Sequence, residues 1–173
     1  MSDQADAGSE RLSNVIRTTQ IIAGAILAGL AMMGAVLFAI GLQRGIQAPS
    51  LLTYVAGGVV LVGAVLRTAL HGLVATSKLS ELRRNLSEQA DANDERVKGE
   101  LAAAYQTGTI AGFAAIEGAG FFAWILYVVH PSWMGAVAGV FALVVMAVTF
   151  PSRGRMVDWI EQQQESLRLE SPR

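Results

Sequence analysis

The sequence predicts an all-α, polytopic membrane protein: four transmembrane helices paired as two antiparallel hairpins, with a helical cytoplasmic arm between them. Of the 173 residues, 53% are hydrophobic and only 16% charged, which is unlike an average globular domain. The apolar residues are also grouped, because stretches 18–42, 51–66, 107–129 and 133–150 are almost free of charge. Each is near the ~20 residues that cross a ~30 Å hydrocarbon layer as helix. The basic residues are segregated as well. Arg11 and Arg17 precede the first stretch, Lys78, Arg83, Arg84, Arg96 and Lys98 separate the second from the third, and Arg153, Arg155, Arg168 and Arg173 follow the fourth, whereas the two opposite loops hold only Arg44. Lys and Arg favour cytoplasmic loops, so both termini and the central connection are expected in the cytoplasm.

Residues 1–17 form the expected cytoplasmic N-terminal segment. A cleaved signal peptide is not expected there: Asp3, Asp6 and Glu10 stand beside Arg11 and Arg17, and the apolar run that follows is too long for a signal core. Residues 18–75 make the first hairpin, turning at Gly45 and Pro49. Its second span is the shortest and lengthens through Arg67 to Leu70 if the arginine reaches for the interface. Residues 76–103 are the arm. Leu66, Leu70, Leu73, Leu79, Leu82 and Leu86 recur at mostly helical spacing, as do Val97, Leu101 and Ala104, and Asn93 is the expected N-cap of the returning helix. Arg84 with Glu88 and Arg96 with Glu100 are spaced as i, i+4 pairs. The arm either merely connects the hairpins or docks a partner.

Residues 104–150 make the second hairpin, joined by His130-Pro131-Ser132. Tyr54, Tyr127 and Trp133 fall where outer headgroups are expected, and Tyr105 and Trp159 where inner ones are. Val55-Ala56-Gly57 resembles Val137-Ala138-Gly139, and Ile22-Ala23-Gly24 resembles Ile110-Ala111-Gly112, a hint of duplication. In 151–173, Met156, Val157, Trp159, Ile160 and Leu167 share one helical face and Asp158, Glu161, Glu165 and Arg168 the other. That pattern fits an amphipathic helix at the inner interface, anchored by Arg153, Arg155 and Trp159, or one packed on the arm.

Glu117 is the one acid deep within an apolar stretch, and a charge there is costly enough to mark a functional residue. It is expected to be buried and neutral unless a cation is near. Arg67 is the candidate counter-ion: on a 1.5 Å rise the two lie roughly 24 and 18 Å below the outer ends of their spans, a difference of about 6 Å. Arg67 extending to the cytoplasmic headgroups is the alternative, and His71 and Gln106 are further polar neighbours. Gly108 and Gly112, with Gly118 and Gly120 nearby, and Gly135 with Gly139 offer small-xxx-small surfaces for close helix packing or for a dimer.

A membrane carboxylate in a Gly/Ala-rich hairpin resembles the rotor c-subunits of rotary ATPases, in which that acid carries the proton or sodium ion. Glu117 departs from that pattern in lying on the first helix of its hairpin; Gly24, Gly29 and Gly34 are spaced by five, and Gln43-Arg44 falls on the outer side. No rotor role is carried over. The stretch Ala115-Ile116-Glu117-Gly118-Ala119-Gly120-Phe121-Phe122, followed by Phe150-Pro151-Ser152-Arg153-Gly154-Arg155-Met156-Val157-Asp158-Trp159-Ile160-Glu161, resembles uncharacterised bacterial inner-membrane proteins of two hairpins. The resemblance implies a four-helix protein of a bacterial inner membrane and no established activity.

Other chemistry is not expected. The chain has no cysteine, its two histidines fall on opposite sides of the bilayer, and no glycine loop precedes a lysine with serine or threonine, so catalytic residues, metal and cofactors are expected to be none. A net charge of −1 gives no nucleic-acid footprint. The expected function is a structural, assembly or partner-binding membrane component, with the bilayer and a homo-oligomer or membrane-protein partner around it. The alternative is an oligomeric proton- or cation-translocating subunit using Glu117.

Overall fold

A computed structural model describes the backbone of residues 2–88 and 94–170, with some side chains near the ends of these segments outside the description. Five helices follow one another: α1 Ser2–Gln43, α2 Leu51–Glu88, α3 Asp94–Val129, α4 Trp133–Val148 and α5 Arg153–Glu170. No strand occurs among the described residues. Three helices are long and apolar enough to cross a membrane, over Leu12–Gln43, Leu51–Val74 and Val97–Val129. A fourth span is counted if α4 and α5 are taken together across their break. Alone, the 16 residues of α4 extend roughly 24 Å at 1.5 Å per residue, a little short of the hydrocarbon core.

The helices start earlier and run further than the apolar stretches. Residues 2–17, expected as a segment preceding the first span, already belong to α1. The arm is helical on both sides of 89–93, as expected, while the proposed cap Asn93 lies outside the described residues. Gly45 ends α1: its φ of +78° is left-handed, and Arg44 N and Gly45 N return to Gly41 O and Leu42 O at 3.1 and 3.3 Å, the turn that a residue without Cβ makes at low cost. At α4 the N-cap is Ser132, whose hydroxyl accepts from Gly135 N at 3.3 Å.

The chain divides into two compact units. One comprises Ile22–Leu70 and Ala111–Phe150. Its core holds Ala23, Leu30, Ala56, Val60, Phe113, Ile116, Ala119, Ala123, Trp124, Tyr127, Ala138, Ala142 and Met146, and α3 supplies the largest share. Its outer surface is apolar as well: Met32, Val36, Leu51, Leu61, Val65, Ile125, Val144 and Val148 are all exposed. Such an all-round apolar surface far exceeds the isolated patches of a soluble domain. Where these helices meet, glycines allow the close packing. The Trp124 indole lies against both Gly34 of α1 and Gly139 of α4, leaving no room for a Cβ at either. Gly41 is closed in the same way by the Tyr127 ring, Gly63 by Ala119, and Gly120 by Leu30 and Ala142.

The other unit comprises Met1–Ile21, His71–Ile110 and Pro151–Arg173. Its core is Ile16, Val97, Leu101, Ala102, Tyr105, Met156, Ile160 and Leu167, with Leu12, Val15, Val157 and Trp159 packed on it. The apolar face of α5 is therefore covered by α1 and α3. Of the two placements expected for this helix, its apolar face shows the packed one: Met156 is 1% and Ile160 2% exposed. Tyr105 and Trp159 face each other with ring centroids 5.4 Å apart, a contact within protein where headgroup anchors were expected. Gln20 Nε2 donates to Pro151 O at 3.2 Å, tying α1 to the start of α5. The side chains of Leu79, Leu82, Leu86, Arg84, Glu88 and Arg96 lie outside the described residues.

Candidate functional site: the acid on α3 and its surroundings

Glu117 sits one turn after Phe113 on α3, within a membrane-length helix. It is half-buried, not enclosed. The buried polar residues among those described are Thr19, Thr53, Thr109 and Ser132, none of them charged. Among the described residues no hydrogen bond or ion pair reaches Glu117. The expected glutamate buried in the bundle is thus replaced by a carboxylate at the edge of the packed face.

The helix wheel explains its position. At ~100° per residue, the α3 residues that meet α2 (Gly112, Ala115, Ile116 and Ala119) form one arc. Gly120 and Trp124, which meet α1 and α4, lie further round it, and Glu117 lies about 20° beyond Trp124. Ala114 and Gly118 next to it are exposed, and nothing approaches Gly118 within 4 Å. Gln106 is half-buried on α3. The His71 side chain lies outside the described residues.

Arg67 reaches α3 one turn before Glu117, at Gly112 and Phe113. Its stem lies on Gly112, where an added Cβ would stand 2.9 Å from Arg67 Cγ. Its guanidinium lies 5.1 Å from the centroid of the Phe113 ring, and one Nη donates to Thr149 O at 3.0 Å. Thr149 is the C-cap of α4, where carbonyls lack helical partners and a cation is favoured. Arg67 therefore serves the end of α4, and the expected Glu117–Arg67 pair is not formed. The estimate of depth placed the two near one another, but the guanidinium is drawn to Phe113 and to Thr149 O at the end of α4.

The remaining sequence-selected residues divide by role. Gly112, Gly120 and Gly139 are close-packing positions, Gly135 is an ordinary contact of Ser132 and Tyr127, and Gly118 is open. Gly108 is buried. Trp133, Arg153 and Arg155 are exposed, whereas Tyr127, expected as a headgroup anchor, is 1% exposed. It stacks on Phe38 at 5.8 Å and meets Trp124 edge-on at 5.8 Å. The slots beside Gly41 and Gly135 draw it inward, outweighing the interfacial preference of its ring.

One polar cluster was not anticipated. Thr53 Oγ1 and Ser132 Oγ share a buried hydrogen bond of 3.0 Å, joining the first turn of α2 to the N-cap of α4. Gln47 N donates to Pro131 O at 2.6 Å, His130 Nε2 bonds Ala48 O at 2.8 Å, and Arg44 Nη1 donates to Val128 O at 2.9 Å. The two short loops are thereby cross-linked. The signal for it, a hydroxyl just before or within the first turn of an apolar helix, is present at Ser50, Thr53 and Ser132. Among the described residues no group of three or more His, Asp or Glu is gathered as for a metal ion. No protein-family model matches this sequence, and no curated protein or solved structure shows significant similarity to it.

Proposed function

We propose that the chain is a non-enzymatic integral membrane protein that assembles with a second copy or with another membrane protein through the face of α3 carrying Glu117. One observation carries the reading: a carboxylate on a membrane-length helix is only half-buried and has no hydrogen bond or ion pair among the described residues. An acid in that situation gains its hydrogen bonds from outside the protomer, because lipid offers none. In this proposal the spans are inserted as two hairpins in a bacterial inner membrane with both termini in the cytoplasm, supported by the distribution of Lys and Arg. The likeness to two-hairpin inner-membrane proteins is consistent with it.

The test is assembly measured separately from folding. Glu117→Gln and Glu117→Leu are expected to leave the melting of the protomer in detergent within ~0.5 kcal/mol of wild type, as for a residue with no hydrogen bond or ion pair among the described residues. Glu117→Leu is expected to weaken self-association or partner co-purification from native membranes. Unchanged association in both variants would remove the reading.

A second reading, favoured by the same accessibility, is an ion-translocating oligomer in which several copies of Glu117 bind and release a proton or cation. One carboxylate per protomer makes no relay by itself, so a ring or partner channel is required. A hydrophobic carbodiimide, which attacks the protonated acid, separates the two: the carrier predicts labelling of Glu117 that falls as pH rises, and no labelling at any pH rules it out.

A further inference from the structure

We infer that Arg17 and Arg153 form a binding surface for the phosphates of anionic lipid headgroups, so that the protein selects acidic phospholipids in the leaflet that borders α5. This goes beyond the assembly proposal and rests only on its claim that the chain enters a bilayer.

The first observation is placement. Arg17 directly precedes the first apolar stretch and Arg153 follows the last by three residues, and both side chains are exposed. Gln20, one turn after Arg17, donates to Pro151 O at 3.2 Å, which fixes α1 beside the start of α5. The two arginines thus flank one point. Ile16, next to Arg17, and Met156, three residues after Arg153, are both buried in the same core, which holds the two helices together. The first turn of α5 is fixed by Ser152, whose Oγ accepts from the backbone N–H of Arg155 at 3.4 Å.

The second observation is a separation of charge by distance from the apolar stretches. On α1 no acid lies between Glu10 and the apolar run; on α3 none lies between Glu100 and Glu117; on α5 the first acid is Asp158, after both arginines. On α1 and α5 the charge nearest the apolar stretch is an arginine, with Glu10 and Asp158 further away, whereas on α3 it is Glu100. A layer serving solubility alone has no reason to sort its signs. A negatively charged leaflet attracts basic residues near its surface and repels acids there, and the guanidinium fork matches a phosphate by two parallel hydrogen bonds.

The experiment uses the full chain in bilayer nanodiscs and spin-labelled lipids, comparing the association of phosphatidylglycerol with that of phosphatidylcholine. Wild type is expected to prefer phosphatidylglycerol, and Arg17→Gln and Arg153→Gln each to lower that preference about fivefold, the effect of one arginine near a charged surface. Arg17→Lys/Arg153→Lys keeps most of the preference and guards against a folding defect. Lys98→Gln, on α3 beyond Glu100, leaves it unchanged. Equal association of the two lipids with wild type overturns the inference, as does an equal loss in Lys98→Gln. Displacement of phosphatidylglycerol by millimolar inorganic phosphate also overturns it, by showing a site for a soluble anion. Failure to enter nanodiscs of either composition would instead contradict the membrane reading itself.

Discussion

Two glycines on different helices make room for one indole, and the consequences can be measured residue by residue. Gly139→Ala puts a methyl into the Trp124 ring, which is 3% exposed and held on its other side by Gly34. The ring has little room to retreat, so a loss of about 1–3 kcal/mol is expected, the range for overpacking, read by denaturant titration in mixed micelles. Gly118→Ala meets nothing within 4 Å and is expected to change stability by less than ~0.5 kcal/mol. Both glycines stand in the same small-residue pattern along the chain. What the pattern cannot carry is which of them faces a neighbour, because that depends on the azimuth of the partner helix. The same limit applies to Glu117 and Arg67. Their depths follow from counting residues, but the choice of Thr149 O as the arginine's acceptor follows from where α4 ends. A double-mutant cycle of Glu117→Gln and Arg67→Gln is therefore expected to be additive within about 0.5 kcal/mol. Arg67→Gln alone is expected to cost about 1.5–3 kcal/mol, as for a hydrogen bond from a charged group. A coupling energy well above 0.5 kcal/mol would restore the pair.

The helices themselves were largely legible, because long runs of apolar residues have few other solutions and each run ends at Gly45, Pro49, Pro131 or Pro151. The junctions were less so. Ser132 caps α4 and also bonds Thr53 of α2, so Ser132→Ala removes a cap and leaves the Thr53 hydroxyl without that partner. The expected loss is about 1–2 kcal/mol, whereas Ser50→Ala, whose hydroxyl has no partner among the described residues, is expected to be close to neutral. Equal losses in the two variants would show that the hydroxyl bridge contributes nothing. For α5 the amphipathic face was visible, but two surfaces can satisfy such a face, lipid or protein, and periodicity does not distinguish them. Ile160 lies at 2% exposure in a protein core. Ile160→Ala is accordingly expected to cost about 2–5 kcal/mol in detergent, where a helix held only by lipid would lose no fold stability.

Across the molecule the two units obey different rules. In the unit of Ile22–Leu70 and Ala111–Phe150 the apolar residues are both inside and outside, and packing depends on glycines meeting rings. In the other, Met156, Ile160, Leu101 and Ile16 are inside while Arg17, Lys98, Arg153, Asp158 and Glu161 are outside, the arrangement water imposes. The contrast was legible in outline from the grouping of apolar residues, and it is the physical basis of the membrane assignment. The lack of native cysteine makes it directly testable with single-cysteine spin labels in lipid vesicles. Labels at the exposed positions Met32, Leu61, Ile125 and Val144 are expected to be relaxed by oxygen and shielded from a water-soluble nickel chelate, while a label at Lys98 shows the reverse. Nickel access at Met32, Leu61, Ile125 and Val144 equal to that at Lys98 would place water, not lipid, around these helices and contradict the account.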